Sequence, residues 1–95
     1  MAEIEIGTET EKHNGWAYQV RVFEEGRLHE FAVTLSFADY DLWSNGSIPP
    51  SKVVHKAFVF LLQNEPVTSI LNKFDCSIIR RYFPHVDREL PKISL

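Results

Sequence analysis

The clearest pattern in the chain is an alternation of apolar and polar positions on either side of Gly26. Apolar or aromatic side chains recur at every second residue through 16–22 and again through 29–37. A period of two residues is typical of a strand with one buried face. The sequence therefore predicts a β-hairpin with strands at 16–24 and 27–37.

The register of this hairpin follows from which face must be buried. A three-residue loop with a bulge, which Gly26 suggests, would place Val20 opposite Glu30 and bring a carboxylate onto the apolar face. The alternative register pairs Val20 with Phe31 instead. It also pairs Arg21 with Glu30 on the polar face, where such a pair is worth about 0.2–1 kcal/mol. We predict this second register.

Residues 50–64 carry apolar side chains over most of the circumference of a helix. The remaining polar stripe is narrow and consists of Lys52, His55, Lys56 and Gln63. A helix that is apolar nearly all round is buried by neighbours on several sides. Pro50 suits the first turn, and Pro66 ends the helix because the residue before a proline disfavours helical geometry. We therefore expect this helix to lie at the centre of the fold.

Weaker signals complete the predicted secondary structure. They indicate a strand at 2–6, loops at 7–15 and 38–48 with one helical turn near Tyr40, short helices at 67–73 and 76–83, and a frayed tail at 91–95. Strands that precede helices are typical of an α+β fold. We predict one domain, residues 1–95, in which an antiparallel hairpin or three-stranded sheet is followed by the central buried helix and two short helices packed on one face.

The composition bounds the class of protein. The chain has 95 residues, and its longest apolar run, 57–62, is far shorter than the roughly 20 residues that cross a bilayer. The acidic N-terminus, 1–5, has neither the basic start nor the apolar centre of a signal peptide. Cys76 is the single cysteine, so no internal disulfide can form. The sequence predicts a cytoplasmic protein without a membrane segment or a cofactor.

The net charge of −3 is unevenly distributed along the chain. Residues 1–48 contain nine acidic and three basic residues, whereas residues 49–95 contain four acidic and seven basic residues. Such asymmetry can mark an interaction surface. The favoured explanation is that the two halves attract each other or are simply solvated.

Candidates for catalysis and metal binding are weak. Cys76 lies in the first turn of a predicted helix, where the helix dipole can lower a thiol pKa, and His55 or His85 could serve as a base. The apolar side of the helix carries Cys76, however, which favours a structural role. Asp39 and Asp41 lack the further acids of a calcium loop. We predict no catalytic and no metal-binding residue.

Basic side chains are concentrated near the C-terminus. Two short helices around a turn at 73–75 would imitate a helix-turn-helix, which would direct Arg80 and Arg81 toward phosphates or guanines. The acidic net charge and the short second helix argue against nucleic acid. The residues predicted for an anion or nucleic-acid site are Arg80, Arg81, Lys73 and Arg88. A solvated basic face is the alternative.

Two aromatic residues stand out in the predicted loop 38–48, Tyr40 and Trp43. Exposed aromatic side chains are favoured anchors in protein interfaces. They are therefore the predicted interaction residues. The alternative for Trp43 is that it folds back and covers the core beside the central helix.

The C-terminal half also resembles small stand-alone bacterial proteins of unassigned function. The resemblance covers residues 49–90 and rests on the patterns Pro49-Pro50-x-x-Val53-Val54, Ala57-Phe58-x-Phe60-Leu61-Leu62, Glu65-Pro66, Ile70-Leu71 and Phe74-Asp75-x-Ser77-x-Ile79-x-x-Tyr82-Phe83-Pro84. It implies a stand-alone bacterial domain and transfers no catalytic residue.

Three functions are compatible with these observations. The favoured one is a small cytoplasmic protein-interaction module without catalytic activity, whose partner is another protein or a second copy of the chain. The first alternative is nucleic-acid or anion binding through the basic C-terminal face. The second is a small-ligand binder or enzyme that uses a concavity between the loop 38–48 and the third helix.

Overall fold

The computed structural model describes residues 2–95 and has an α+β architecture, as predicted, in which a mixed four-stranded sheet is covered by helices. The strands are β1 (Glu3–Lys12), β2 (Gly15–Glu24), β3 (Arg27–Ser36) and β4 (Lys73–Asp75). The helices are α1 (Phe37–Ser44), α2 (Pro50–Asn64), α3 (Ile79–Tyr82) and α4 (Val86–Glu89). Turns of 3-10 helix lie at Val67–Ser69, Cys76–Ile78 and Leu90–Lys92.

The predicted hairpin register is confirmed. Val20 lies opposite Phe31, and Arg21 lies opposite Glu30, with 3.7 Å between the nearest charged atoms of the latter pair. The strands are joined by a two-residue turn in which Glu25 and Gly26 both have positive φ angles, 51° and 75°. This turn conformation matches the twist of the flanking strands, which fixes the even register.

The first strand is longer than predicted. Strand β1 continues to Lys12 through a register shift between Ile6 and Glu9, so most of the predicted loop 7–15 is strand. The shift interrupts the alternation of apolar and polar residues by which a strand is recognised in the sequence. The Tyr18 hydroxyl donates a hydrogen bond to the Glu9 carboxylate beyond this shift.

Strand β4 was not predicted. It pairs in parallel with β3, and the Ala32 amide donates to the Asn72 carbonyl at 2.8 Å. The helix expected at 67–73 is therefore wrong, because Val67–Ser69 forms one 3-10 turn before the chain becomes extended. Pairing with a strand distant in sequence overrides the weak local preference of this segment.

The central helix is confirmed with the predicted bounds, Pro50 to Asn64. Its buried side chains face the sheet and the C-terminal segments, and they are Val53, Val54, Ala57, Phe58, Phe60 and Leu61. The Phe58 ring lies 5.2 Å from that of Phe31 on β3 and 6.0 Å from that of Phe74 on β4, measured between ring centroids. Helix α2 thus joins both ends of the chain in one core.

The predicted loop 38–48 is largely helical. Helix α1 begins after Ser36, whose hydroxyl accepts a hydrogen bond from the Asp39 amide at 3.1 Å, and it ends at Asn45 in the left-handed region. A serine N-cap and a left-handed asparagine C-cap are typical helix boundaries. The loop prediction missed both signals, since it gave weight to the polar composition of the segment.

The C-terminal segment also differs from the prediction. The helix expected at 76–83 is a 3-10 turn followed by the four-residue α3. The chain then forms α4 and a last 3-10 turn, which continues the ordered structure into the predicted frayed tail 91–95. Within residues 2–95, no helix combines the length and the apolar character that crossing a bilayer requires.

Candidate functional site

Arg80 lies at the centre of an ion-pair network between α1 and the C-terminal helices. Its Nε and Nη2 atoms donate to the two carboxylate oxygens of Asp87 at 2.9 and 2.8 Å. Nη2 also donates to Oδ1 of Asp39 at 3.0 Å, and Asp39 is buried at the start of α1. The bidentate pair with Asp87 and the additional hydrogen bond to Asp39 together hold the guanidinium in one orientation.

Trp43 completes this network. Its indole Nε1 donates to Asp87 Oδ1 at 2.8 Å, and the Arg80 guanidinium carbon lies 5.7 Å from the centroid of the ring. The hydrogen bonds that Arg80 donates to Asp87 raise the pKa of Arg80 and lower the pKa of Asp87. The network therefore stabilises the charged form of each partner and connects α1 to α3 and α4.

These contacts correct two predicted roles. Arg80 faces two carboxylates of its own chain rather than a solvent-exposed phosphate site. Trp43 is 2% exposed and belongs to the core, as in the alternative interpretation, so it offers no anchor to a partner. Arg80 contacts both Asp39 and Trp43 at the place where a concavity between residues 38–48 and the third helix was expected.

Tyr40, the second predicted interaction residue, is half-buried. Its hydroxyl donates to the Ile48 carbonyl at 2.6 Å, and its ring packs edge-on against Trp16 at a centroid distance of 5.2 Å. These contacts position the chain between α1 and α2. They give Tyr40 a role within the fold.

The other predicted basic residues lie on separate elements. Lys73 is exposed on β4, Arg81 is exposed on α3, and Arg88 on α4 lies 3.7 Å from the carboxylate of Glu89. The segment expected to form a helix-turn-helix contains β4 and a helix of four residues. That geometry provides no recognition helix long enough to enter a groove of DNA.

Cys76 is fully buried, in agreement with the structural role favoured from the sequence. Burial raises the pKa of its thiol, with smaller contributions from Asp75 and Asp39. A reactive cysteine requires the opposite shift, because the thiolate is the nucleophile.

An apolar groove of about 150 Å³ lies between the C-terminal end of α2 and residues 76–82. Its floor consists of buried side chains of the core, Leu61, Ile70, Phe74 and Ile79. Its rim includes Leu71 and Tyr82, whose exposed fractions are 49% and 64%. Both side chains lie in the segments 67–73 and 76–83, which the sequence predicted as short helices packed on one face.

Glu65 also borders the groove and carries the single charge among the described residues that line it. It is the C-cap of α2, and its amide donates to the Leu61 carbonyl at 2.9 Å. Burial against the apolar wall raises the pKa of its carboxyl group. The groove therefore combines an apolar floor with one acidic group at its edge.

Sequence reasoning missed this groove because its walls come from separate elements. Leu61 lies on α2, Leu71 in the connection before β4, and Tyr82 at the end of α3. The sequence carried no signal for the groove, since the apolar residues of each predicted short helix fall on one side of that helix.

Comparison with known proteins gives no assignment, since no protein-family model, no curated protein and no solved structure matches the chain. The resemblance to small bacterial proteins thus stays a prediction that rests on residues 49–90.

Proposed function

We propose that the protein is an interaction module that binds a segment of another polypeptide in the apolar groove. The observation that carries this proposal is the pair of exposed side chains, Leu71 and Tyr82, beside a floor of buried core residues. Exposed apolar surface costs free energy unless a partner covers it. Tyrosine is also among the residues that contribute most to protein interfaces.

The size of the groove favours a single side chain as occupant. Pockets for cofactors and metabolites measure about 300–1,000 Å³, whereas this groove measures about 150 Å³. An apolar cavity of about 150 Å³ accommodates a benzene ring. A phenylalanine or leucine side chain of a partner therefore fits, and the rest of its segment would lie across Leu71 and Tyr82.

Nucleic-acid or anion binding is the weaker candidate. Of the four basic residues predicted for it, Arg80 is paired with Asp39 and Asp87, and the remaining three are distributed over different elements. A chain with net charge −3 also repels a polyanion at long range.

Selection from a displayed peptide library, with the full-length protein as bait, tests the proposed function. We expect enriched peptides to share an aromatic or aliphatic anchor residue. Leu71→Asp should abolish their binding because it places a carboxylate on the rim of the groove. The matched control is Leu42→Asp, since Leu42 is 54% exposed on α1 and does not line the groove.

The outcomes separate the groove from the rest of the surface. Loss of binding in Leu71→Asp and retention in Leu42→Asp, with both variants folded by circular dichroism, supports the proposal. Equal binding by the two variants, or a library that yields no peptide at all, overturns it.

A further inference from the structure

Glu65 occupies a position where a negative charge is unfavourable for the fold itself. It is the C-cap of α2, and the C-terminal end of a helix carries a partial negative charge from its unpaired carbonyl groups. The last turn of this 15-residue helix contains no basic side chain that would offset that charge. A carboxylate here therefore adds to a negative potential that already exists.

The surroundings of Glu65 do not compensate for this charge. Within residues 2–95, its carboxylate makes no ion pair, and the other residues that line the groove are uncharged. The apolar wall reduces its hydration, which strengthens any charge interaction made at this place. An uncompensated carboxylate beside an apolar groove is complementary to a ligand that has both an apolar and a cationic part.

We propose that the groove recognises a partner segment in which a lysine or arginine adjoins the apolar anchor, and that Glu65 pairs with this cation. The inference rests on the proposed function and adds the chemistry of the partner to it. The anchor fills the space above Leu61 and Ile79. The neighbouring basic side chain then reaches the carboxylate at the end of α2.

A peptide library with one fixed phenylalanine and randomised neighbouring positions measures this preference directly. On the wild-type protein we expect lysine and arginine to be enriched about tenfold over glutamine at positions beside the phenylalanine. Glu65→Gln should remove the enrichment while binding of the anchor persists. Raising the salt concentration should weaken the preference on the wild-type protein.

The matched control is Glu24→Gln, which removes the same charge from a half-buried glutamate at the end of β2, outside the groove. We expect this variant to keep the wild-type preference. Since burial disfavours the charged form of Glu65, its replacement by the neutral isostere should leave the fold intact.

The possible failures are distinguishable. If Glu65→Gln keeps the preference for basic neighbours while Leu71→Asp still abolishes binding, the assigned role of Glu65 is wrong and the proposed function stands. If Leu71→Asp has no effect, both proposals fail. If sedimentation shows a dimer that Leu71→Asp dissociates, the occupant is a second copy of the chain, and the inference of a basic partner segment is overturned.

Discussion

Arg80 has the same chemistry in the sequence and in the folded chain, but its neighbours decide how that chemistry is used. One carboxylate partner, Asp87, is seven residues away, and the other, Asp39, is 41 residues away. A basic residue near basic neighbours in the sequence looks available to a phosphate. In the fold, its Nε and Nη2 atoms already donate to carboxylates, and Trp43 covers one side of the guanidinium.

Replacing Asp87 by asparagine tests this network. The variant loses the charge that pairs with Arg80, and we expect the free energy of unfolding to fall by about 1–2 kcal/mol near neutral pH, a moderate value because the aspartate is partly exposed. The pKa of Asp87 is lowered in the folded state. Its contribution to stability is therefore present above the unfolded-state pKa and is lost as the pH falls through the folded-state value.

Urea denaturation at about pH 7 and at about pH 3 measures both effects. The difference between wild type and Asp87→Asn should shrink at the lower pH. Glu89→Gln is the control, because its carboxylate pairs with the exposed Arg88 and should contribute little. A difference that is independent of pH would contradict the assignment of the effect to the charge of Asp87.

At the scale of elements, the sequence predicted those that pair with a neighbouring segment and missed those that pair with a segment distant in the chain. The hairpin of β2 and β3 forms between neighbouring segments, and burial of one face fixes its register. Strand β4 has three residues and exists because β3 offers it a partner about 40 positions earlier in the chain. Its own sequence carries too little pattern to specify a strand.

The turn between β2 and β3 gives a prediction at this scale. Glu25 has a φ angle of 51°, which asparagine adopts with less strain than glutamate. Glu25→Asn creates an Asn-Gly pair with Gly26, the sequence that two-residue hairpin turns prefer. We expect the free energy of unfolding to rise by about 0.5–1 kcal/mol, measured by thermal and urea denaturation.

Glu24→Asn serves as the control for that variant. It removes the same charge from an adjacent position that lies in a strand rather than in the left-handed region. Because asparagine is disfavoured in strands, this variant should be neutral or slightly destabilised. Equal stabilisation by both substitutions would indicate a charge effect and would contradict the turn argument.

At the scale of the whole molecule, the C-terminal segment closes the core. Val86 and Leu90 are fully buried, although α4 and the following turn are short and polar in composition. The Lys56 ammonium on α2 lies 3.4 Å from the Pro91 carbonyl, which ties the same segment to the central helix. The last residues therefore belong to the structural unit that α2 organises.

Shortening the Leu90 side chain tests how much the C-terminal segment contributes to stability. Leu90→Ala should lower the free energy of unfolding by about 2–5 kcal/mol, since it leaves a cavity in a packed core. Leu95→Ala is the matched control because Leu95 is 56% exposed. Chemical denaturation with an unchanged m-value should report the difference; similar stabilities of the two variants would show that the C-terminal segment contributes little to folding.

The sequence by itself determined the fold class, the hairpin with its register, and the bounds of α2. Each of these depends on hydrophobic periodicity or on local turn chemistry within a continuous segment. The tertiary structure alone decided the existence of β4, the pairing of Arg80 with Asp39 and Asp87, and the burial of Trp43. It also decided that Leu71 and Tyr82 flank a groove. The physical reason is that burial and ion pairing depend on contacts between segments distant in the chain. A local sequence pattern does not specify those contacts.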